Sequence, residues 1–288
     1  MDNRDEIRDF LASRRARITP HQAGLPAYGT HRRVPGLRRE EVAMLAGVSV
    51  DYYTRLERGN LGGVSQSVLD ALAGALQLDE AERTHLFDLA RTAGPQPARA
   101  RRRPAQPHLR PSVQAMLDAM TGAPAVVRND RLDILASNAL GRALYAPLYR
   151  DPVRPANHAR FAFLDPRAKD FWIEWERAAN DTVGILRSEA GRHPYDRALS
   201  DLVGELSTRS EDFRTRWATH DVHLHRGGTK LIDHPVVGRL ELAYDTLLLP
   251  ADPGLTMLVY TAAVDSPTAD ALKVLASWAA TVSEDALT

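Results

Sequence analysis

The residues best suited to chemistry lie in one segment, Arg38 to Gly59 (RREEVAMLAGVSVDYYTRLERG), and that chemistry is recognition rather than bond-making. Arg55 carries a planar fork of donors that matches the O6 and N7 acceptors of guanine in a major groove. Val50 offers a methyl contact to thymine, and Asp51 an acceptor for a cytosine amino group. Arg38 and Arg39 open the segment. They suit phosphate oxygens, together with the free N–H groups of the helix they begin. Two short helices, 38–46 and 50–58, must hold these side chains. Val42, Ala43 and Leu45 are expected to face inward from the first, Tyr53 and Leu56 from the second. Ala43 and Ala46 are small enough for a close crossing. Gly47 stands where left-handed backbone ends the first helix, Ser49 is an N-cap for the next, and Gly59 ends that one. Two short helices joined by a glycine turn form a helix-turn-helix pattern.

The first 93 residues complete an all-α domain around this pair. A helix over 3–17 repeats Ile7, Phe10, Leu11 and Ile18 at helical spacing. Residues 19–37 hold three prolines and three glycines and form an irregular connection. They also carry His31, Arg32 and Arg33, either added backbone contacts to DNA or a surface loop. Helices over 66–77 and 79–92 present Val68, Leu69, Leu72 and Leu76, then Leu86, Phe87 and Leu89. Residues 94–110, rich in proline and arginine, read as an extended basic linker, with 111–288 as the second domain. Residues 1–110 hold 18 arginines and no lysine against 13 acidic residues, so the zero net charge of the chain hides a basic first part and an acidic second part. That asymmetry suits a nucleic-acid partner for the first.

The second domain reads as α+β. A helix from Pro111 carries Val113, Met116, Leu117 and Met120. Segments 125–127 and 132–135 form a hairpin around Asn129-Asp130, and a helix follows over 138–148. Residues 167–218 are helical in three pieces. Strands over 228–232, 237–248 and 255–262, then a helix over 267–279, give a five-stranded antiparallel sheet with helices packed on it. Phe171, Trp172 and Trp175 fall on about one helical turn, followed by Val183 and Leu186, with Trp217 on another helix. They are either core packing or the wall of an apolar pocket. An anionic head there finds Lys230, Arg226 and His220 near the strands. His223 and His225 share one side of a strand, next to Asp221, which raises a metal site; no further ligand pattern accompanies them, so no metal is expected.

Other classes are excluded by what is missing. The chain has no cysteine, hence no disulfide, thiolate metal site or cysteine nucleophile. No apolar run is long enough to span a membrane, and the start, MDNRDEIRDF, lacks the apolar centre of a signal peptide, so a cytoplasmic, nucleoid-associated location is expected. There is no glycine-rich phosphate loop, no Gly-x-Ser-x-Gly elbow and no convincing carboxylate pair, so no enzyme is expected.

Arg38–Gly59 resembles the helix-turn-helix of the Xre/phage-repressor family, over roughly residues 3–92, which implies a lambda-repressor-like fold. The resemblance assigns Val50, Asp51 and Arg55 to base reading, Tyr52, Thr54 and Arg58 to phosphate contacts, and Arg39 to the phosphate clamp at the helix start. It makes Glu57 a buried acid paired with an arginine of the first helix, here Arg15. The long stretch 19–37 departs from the family pattern. Farther on, PAVVRNDRLDILASNALGRALY, FLDPRAKDFWIEWERAA, HDVHLHRGGTKLIDHPVVG with Tyr244, and YTAAVDSP resemble the MmyB-like ligand-binding domain, over about 110–277. That resemblance implies a PAS-like fold, structural roles for His220 and His234, and a fatty-acid-like ligand. The expected protein is a homodimeric regulator of double-stranded DNA at an inverted repeat, modulated by a small apolar ligand. The alternative is a DNA-tethered protein whose second domain binds a protein partner.

Overall fold

Capping and turn residues set the first five helices. The computed structural model describes residues 3–25, 34–94, 109–153, 155–219 and 227–285. Helices α1 (Asn3–Arg17), α2 (Arg39–Leu45), α3 (Val50–Glu57), α4 (Gln66–Ala75) and α5 (Glu80–Ala93) follow the expected order. Ser65 caps α4 by accepting from the Val68 N–H, and Asp79 caps α5 by accepting from the Glu82 N–H. Glu82 returns the bond to the Asp79 N–H, so two orphan donors are satisfied together. Ile7, Phe10, Leu11, Val42, Tyr53, Leu56, Leu72 and Leu86 share one core. Leu45 does not join it, being 37% exposed. At 100° per residue, Val42, Ala43 and Ala46 take the buried stripe of α2 and leave Leu45 at its rim.

The chain divides into two compact units. The first is Met1–Arg103 with Arg187–Asp201 and Thr215–Leu224; the second is Pro104–Leu186, Leu202–Arg214 and His225–Thr288. Within the first, Arg187 is fully buried and pairs with Glu6 at 2.5 Å. It also donates to the Trp217 carbonyl and lies over the Trp217 ring. Thr92 donates to the Gly191 carbonyl at 3.3 Å, and Arg192 to Asp88 at 2.9 Å.

In the second unit, β1 (Ala125–Asn129), β2 (Ile134–Ser137), β3 (Gly227–His234), β4 (Gly238–Leu248) and β5 (Leu255–Thr261) form the expected antiparallel sheet, in the order β2-β1-β5-β4-β3. Helix α6 (Pro111–Ala119) covers one face with Val113 and Leu117 against Ala125, Val127 and Met257. Met116 stays 48% exposed, because that two-residue stripe is all the short helix offers to the sheet. The main core lies on the other face, under α7 (Ala139–Leu144), α8 (His158–Leu164), α9 (Ala168–Phe171) and α13 (Pro267–Asp285). Asn138 joins the layers. Its carbonyl accepts from Ala125 and Gly141 N–H groups, and its amide donates to the Met120 and Ala123 carbonyls.

The helical stretch 167–218 has four pieces, not three: α9, α10 (Trp175–Arg192), α11 (Arg197–Arg209) and α12 (Glu211–Trp217). The added break has a physical reason. Trp172 leaves the helix in extended backbone and bridges Ile232 of β3, the Ile173 N–H donates to the Leu231 carbonyl at 3.1 Å, and residues 173–174 turn into α10. Phe171, Trp172 and Trp175 therefore do not share one helical turn.

His234, at the end of β3, accepts from the Val236 N–H at 3.2 Å through Nδ1, while Nε2 lies 3.1 Å from the Ala143 carbonyl and donates to it. Both nitrogens are committed to a neutral ring, and burial lowers its pKa despite that carbonyl. Burial likewise lowers His85, against the opposing pull of Glu6. The unfolded chain then binds more protons than the folded one once the pH falls below the ordinary histidine value of about 6.5. Stability is expected to fall as pH drops from about 7 to 5, and less steeply in a His234→Asn variant. Thermal melting across that interval checks it; a flat melting temperature contradicts the neutral burial of both rings.

Candidate nucleic-acid interface and ligand pocket

The turn between α2 and α3 is built by backbone geometry. Gly47 adopts φ +66°, and the Val48 N–H closes onto the Ala43 carbonyl at 2.9 Å. Ser49 then caps α3, its hydroxyl accepting from the Tyr52 N–H at 3.1 Å. Gly59, at φ +92°, ends α3 against the Arg4 backbone, where a Cβ would lie 2.7 Å from the Arg4 carbonyl oxygen. Tyr53, Leu56 and Glu57 are buried, while Val50, Asp51, Arg55 and Arg58 are exposed. Tyr52 and Thr54 are half-buried between the two faces.

Glu57 is 2% exposed and takes two arginines. Arg15 of α1 reaches it at 2.8 Å and also donates to the Leu37 carbonyl. Arg39 of α2 is its second partner. The hydrogen bond and charge of Glu57 raise the Arg39 pKa. Arg39 thus stands half-exposed at the start of α2 but bound inward. Arg38 is exposed and reaches Glu40 at 3.2 Å. Arg38, Arg39, Val50, Val34 and Glu40 rim a shallow open hollow that Arg15 also lines. Val34 and Glu40 were not singled out by the sequence; spacing alone does not bring residue 34 beside residue 50. Arg32 and Arg33 lie outside the described residues.

In the second unit, Trp172, Lys230 and Tyr244 come together around a hollow that Glu174, Arg177 and Asp181 also line. The Lys230 ammonium lies 5.3 Å from the Tyr244 ring centre and 5.8 Å from that of Trp172, at cation–π range. Burial, and secondarily the charge of Arg128, bring its pKa down to about 8. The other expected pocket residues are not brought there. Phe171 packs on Tyr145, Phe161 and Trp172 in the core. Trp175 donates to the Ala162 carbonyl at 2.9 Å. Trp217 belongs to the other compact unit. His220, His223, His225, Asp221 and Arg226 lie outside the described residues. His234, with both nitrogens engaged, has no lone pair left for a metal.

These two sites, on two compact units, define a helix-turn-helix regulator with a ligand-binding domain. Residues 6–86 match the family model of a helix-turn-helix domain, and residues 109–275 that of the MmyB-like transcription regulator ligand binding domain. The chain belongs to the MmyB-like transcription regulator family. No curated protein matches it. No described helix is long and apolar enough to cross a membrane.

Glu57 makes a stability prediction. Removing one partner of a buried ion pair leaves the other charge uncompensated, at a cost of about 3–5 kcal/mol. Arg15 is itself largely buried, so Glu57→Ala is expected to destabilise the protein by at least about 3 kcal/mol. Urea unfolding measures it; a loss below about 1 kcal/mol contradicts the clamp.

Proposed function

We propose that the chain is a ligand-responsive, sequence-specific transcription regulator of the Xre type. It acts as a homodimer on an inverted repeat, in the cytoplasm at the nucleoid. One observation carries the reading: Val50, Asp51 and Arg55 of α3 stand exposed while Tyr53, Leu56 and Glu57 are buried. Arg55 reads guanine, Val50 and Asp51 set neighbouring preferences, and Arg38, Arg39, Tyr52, Thr54 and Arg58 meet phosphates, with Arg32 and Arg33 as further backbone contacts. Two-fold symmetry of the protein is mirrored in the two half-sites of the operator.

The effector in this proposal is a small apolar or fatty-acid-like molecule in the PAS-like second unit, held at Trp172, Lys230 and Tyr244. It changes operator affinity through its differential affinity for two states of the protein. Native mass spectrometry distinguishes a co-purified small molecule from a protein partner on the same domain.

Arg55→Ala is expected to weaken operator binding roughly 10- to 100-fold, the worth of about 1–3 kcal/mol for a bidentate base contact. Binding to unrelated DNA changes much less. Titrations of operator and random duplex over a range of salt check both parts. Equal losses on the two duplexes contradict base reading, and a flat salt dependence contradicts phosphate contact.

A further inference from the structure

The first unit carries a further cleft where α3 ends, and all of its lining residues belong to that unit. A volume of about 280 Å³ there is open to the centre of a water-sized molecule. Its floor is backbone. A Cβ at Gly62 would lie 2.8 Å from the Ala93 carbonyl oxygen, just as one at Gly59 would meet that of Arg4. Glycine at both positions lets the loop pass close by and puts no side chain into the cleft. Asn60 ties the same loop to α3 by donating to the Arg55 carbonyl at 3.2 Å. Arg4, Arg55 and Tyr195 line the cleft as well, and no carboxylate does. Both arginines are exposed, and Tyr195 is 61% exposed.

Tyr195 lies far from these residues in sequence. It stands on the turn between α10 and α11, in the stretch that matches the ligand-binding model, yet it belongs to the first unit. That turn is held on both sides. Before it, Gly191 and Arg192 are bound by Thr92 and Asp88, and Gly191 packs so closely that a Cβ would lie 2.5 Å from the His85 ring. After it, Asp196 caps α11 by accepting from the Ala198 N–H at 2.9 Å and the Leu199 N–H at 3.1 Å. A phenol is thus kept in water on a fixed turn, beside two guanidinium groups.

Guanidinium and phenol groups are donors of the kind that meet DNA phosphates. No lining carboxylate opposes an anion, and the backbone floor allows a sugar–phosphate chain to approach closely. Arg55 belongs both to this cleft and to the exposed residues of α3, so the cleft continues the surface that the proposed function sets against DNA. We propose that the cleft binds the phosphodiester backbone of the same duplex, with Arg4 pairing a phosphate and Tyr195 donating to a phosphate oxygen. The proposal rests on the DNA-reading function above. It adds to that function a contact made by a residue of the ligand-binding sequence.

The test titrates the full chain with its operator, obtained by selection from random sequence, and with an unrelated duplex, both over a range of salt. Arg4→Ala is expected to weaken binding to the two duplexes alike. It also lowers the slope of log affinity against log salt by about 0.9, the counterion release of one phosphate. Tyr195→Phe removes a neutral donor, so it is expected to weaken both duplexes about 10-fold with the slope unchanged. Parent-like affinity in either variant, or a loss confined to the operator, overturns the cleft as a backbone site and leaves base reading by α3 standing. A parent chain whose affinity ignores salt overturns DNA reading itself, and this proposal with it. Both substitutions fall on exposed side chains, so melting temperatures are expected to stay within about 2 °C of the parent. A larger fall assigns the residue to the fold and overturns its role at DNA. Millimolar ATP is expected to leave the parent melting temperature unchanged. A rise that Tyr195→Phe removes reassigns the cleft to a free nucleotide and overturns the proposal.

Discussion

The reading surface of the first unit depends on one carboxylate. Glu57 ends α3, yet it is tied to α1 through Arg15 and to the first turn of α2 through Arg39. Its removal from water is tolerable only because both arginines approach it together. This contact fixes how α3 is rotated. With Tyr53, Leu56 and Glu57 held inward, the helical period leaves Val50, Asp51, Arg55 and Arg58 outward. The clamp also draws Arg39 inward from the position where a phosphate contact is expected. The charge offered at the start of α2 then rests more on Arg38 and on the helix N–H groups.

Buried charge is handled in two ways within this chain. In the first unit each deeply buried arginine meets a carboxylate: Arg14 meets Glu82 and Arg187 meets Glu6. Such pairs trade desolvation against mutual attraction and hydrogen bonds. In the second unit the buried Arg128 has no carboxylate partner among the described residues, and its charge disfavours that of the partly buried Lys230. A protein optimised only for stability would replace such a pair with apolar residues of similar volume. The buried Trp172 N–H of the same unit is likewise without an acceptor among the described residues.

What the sequence made legible is what local backbone chemistry determines. Gly47, Ser49 and Gly59 announce the turn and both ends of α3, because left-handed backbone and an N-cap hydroxyl are requirements of a few adjacent residues. The alternation of Leu240, Leu242 and Tyr244 announces β4 and the face it buries. Long-range pairing is a different matter. Glu6 and Arg187 lie 181 residues apart, and no local pattern announces that Arg187–Asp201 joins the first unit. Trp172 reads as helical because its neighbours do; the open edge of β3 pulls it straight. Arg128 was overlooked because it sits where a strand runs into a turn, a place where a charge is ordinarily solvated. Its two-residue spacing from Val126 puts it on the face of the main core, and both faces of β1 are buried.

The size of the hollow constrains how any longer ligand can bind. Between Trp172, Lys230 and Tyr244 a volume of about 20 Å³ is open to the centre of a water-sized molecule, too little for an acyl chain. Trp172 of the hollow belongs to the core that Tyr145, Phe161, Phe171 and Tyr260 also fill, and close-packed interiors do not yield space without moving side chains. A ligand with an acyl chain, as proposed above, would have to part these side chains, and the apparent affinity for a scarce state falls with its population. Any ligand of this unit shifts a conformational equilibrium only by its differential affinity for the two states.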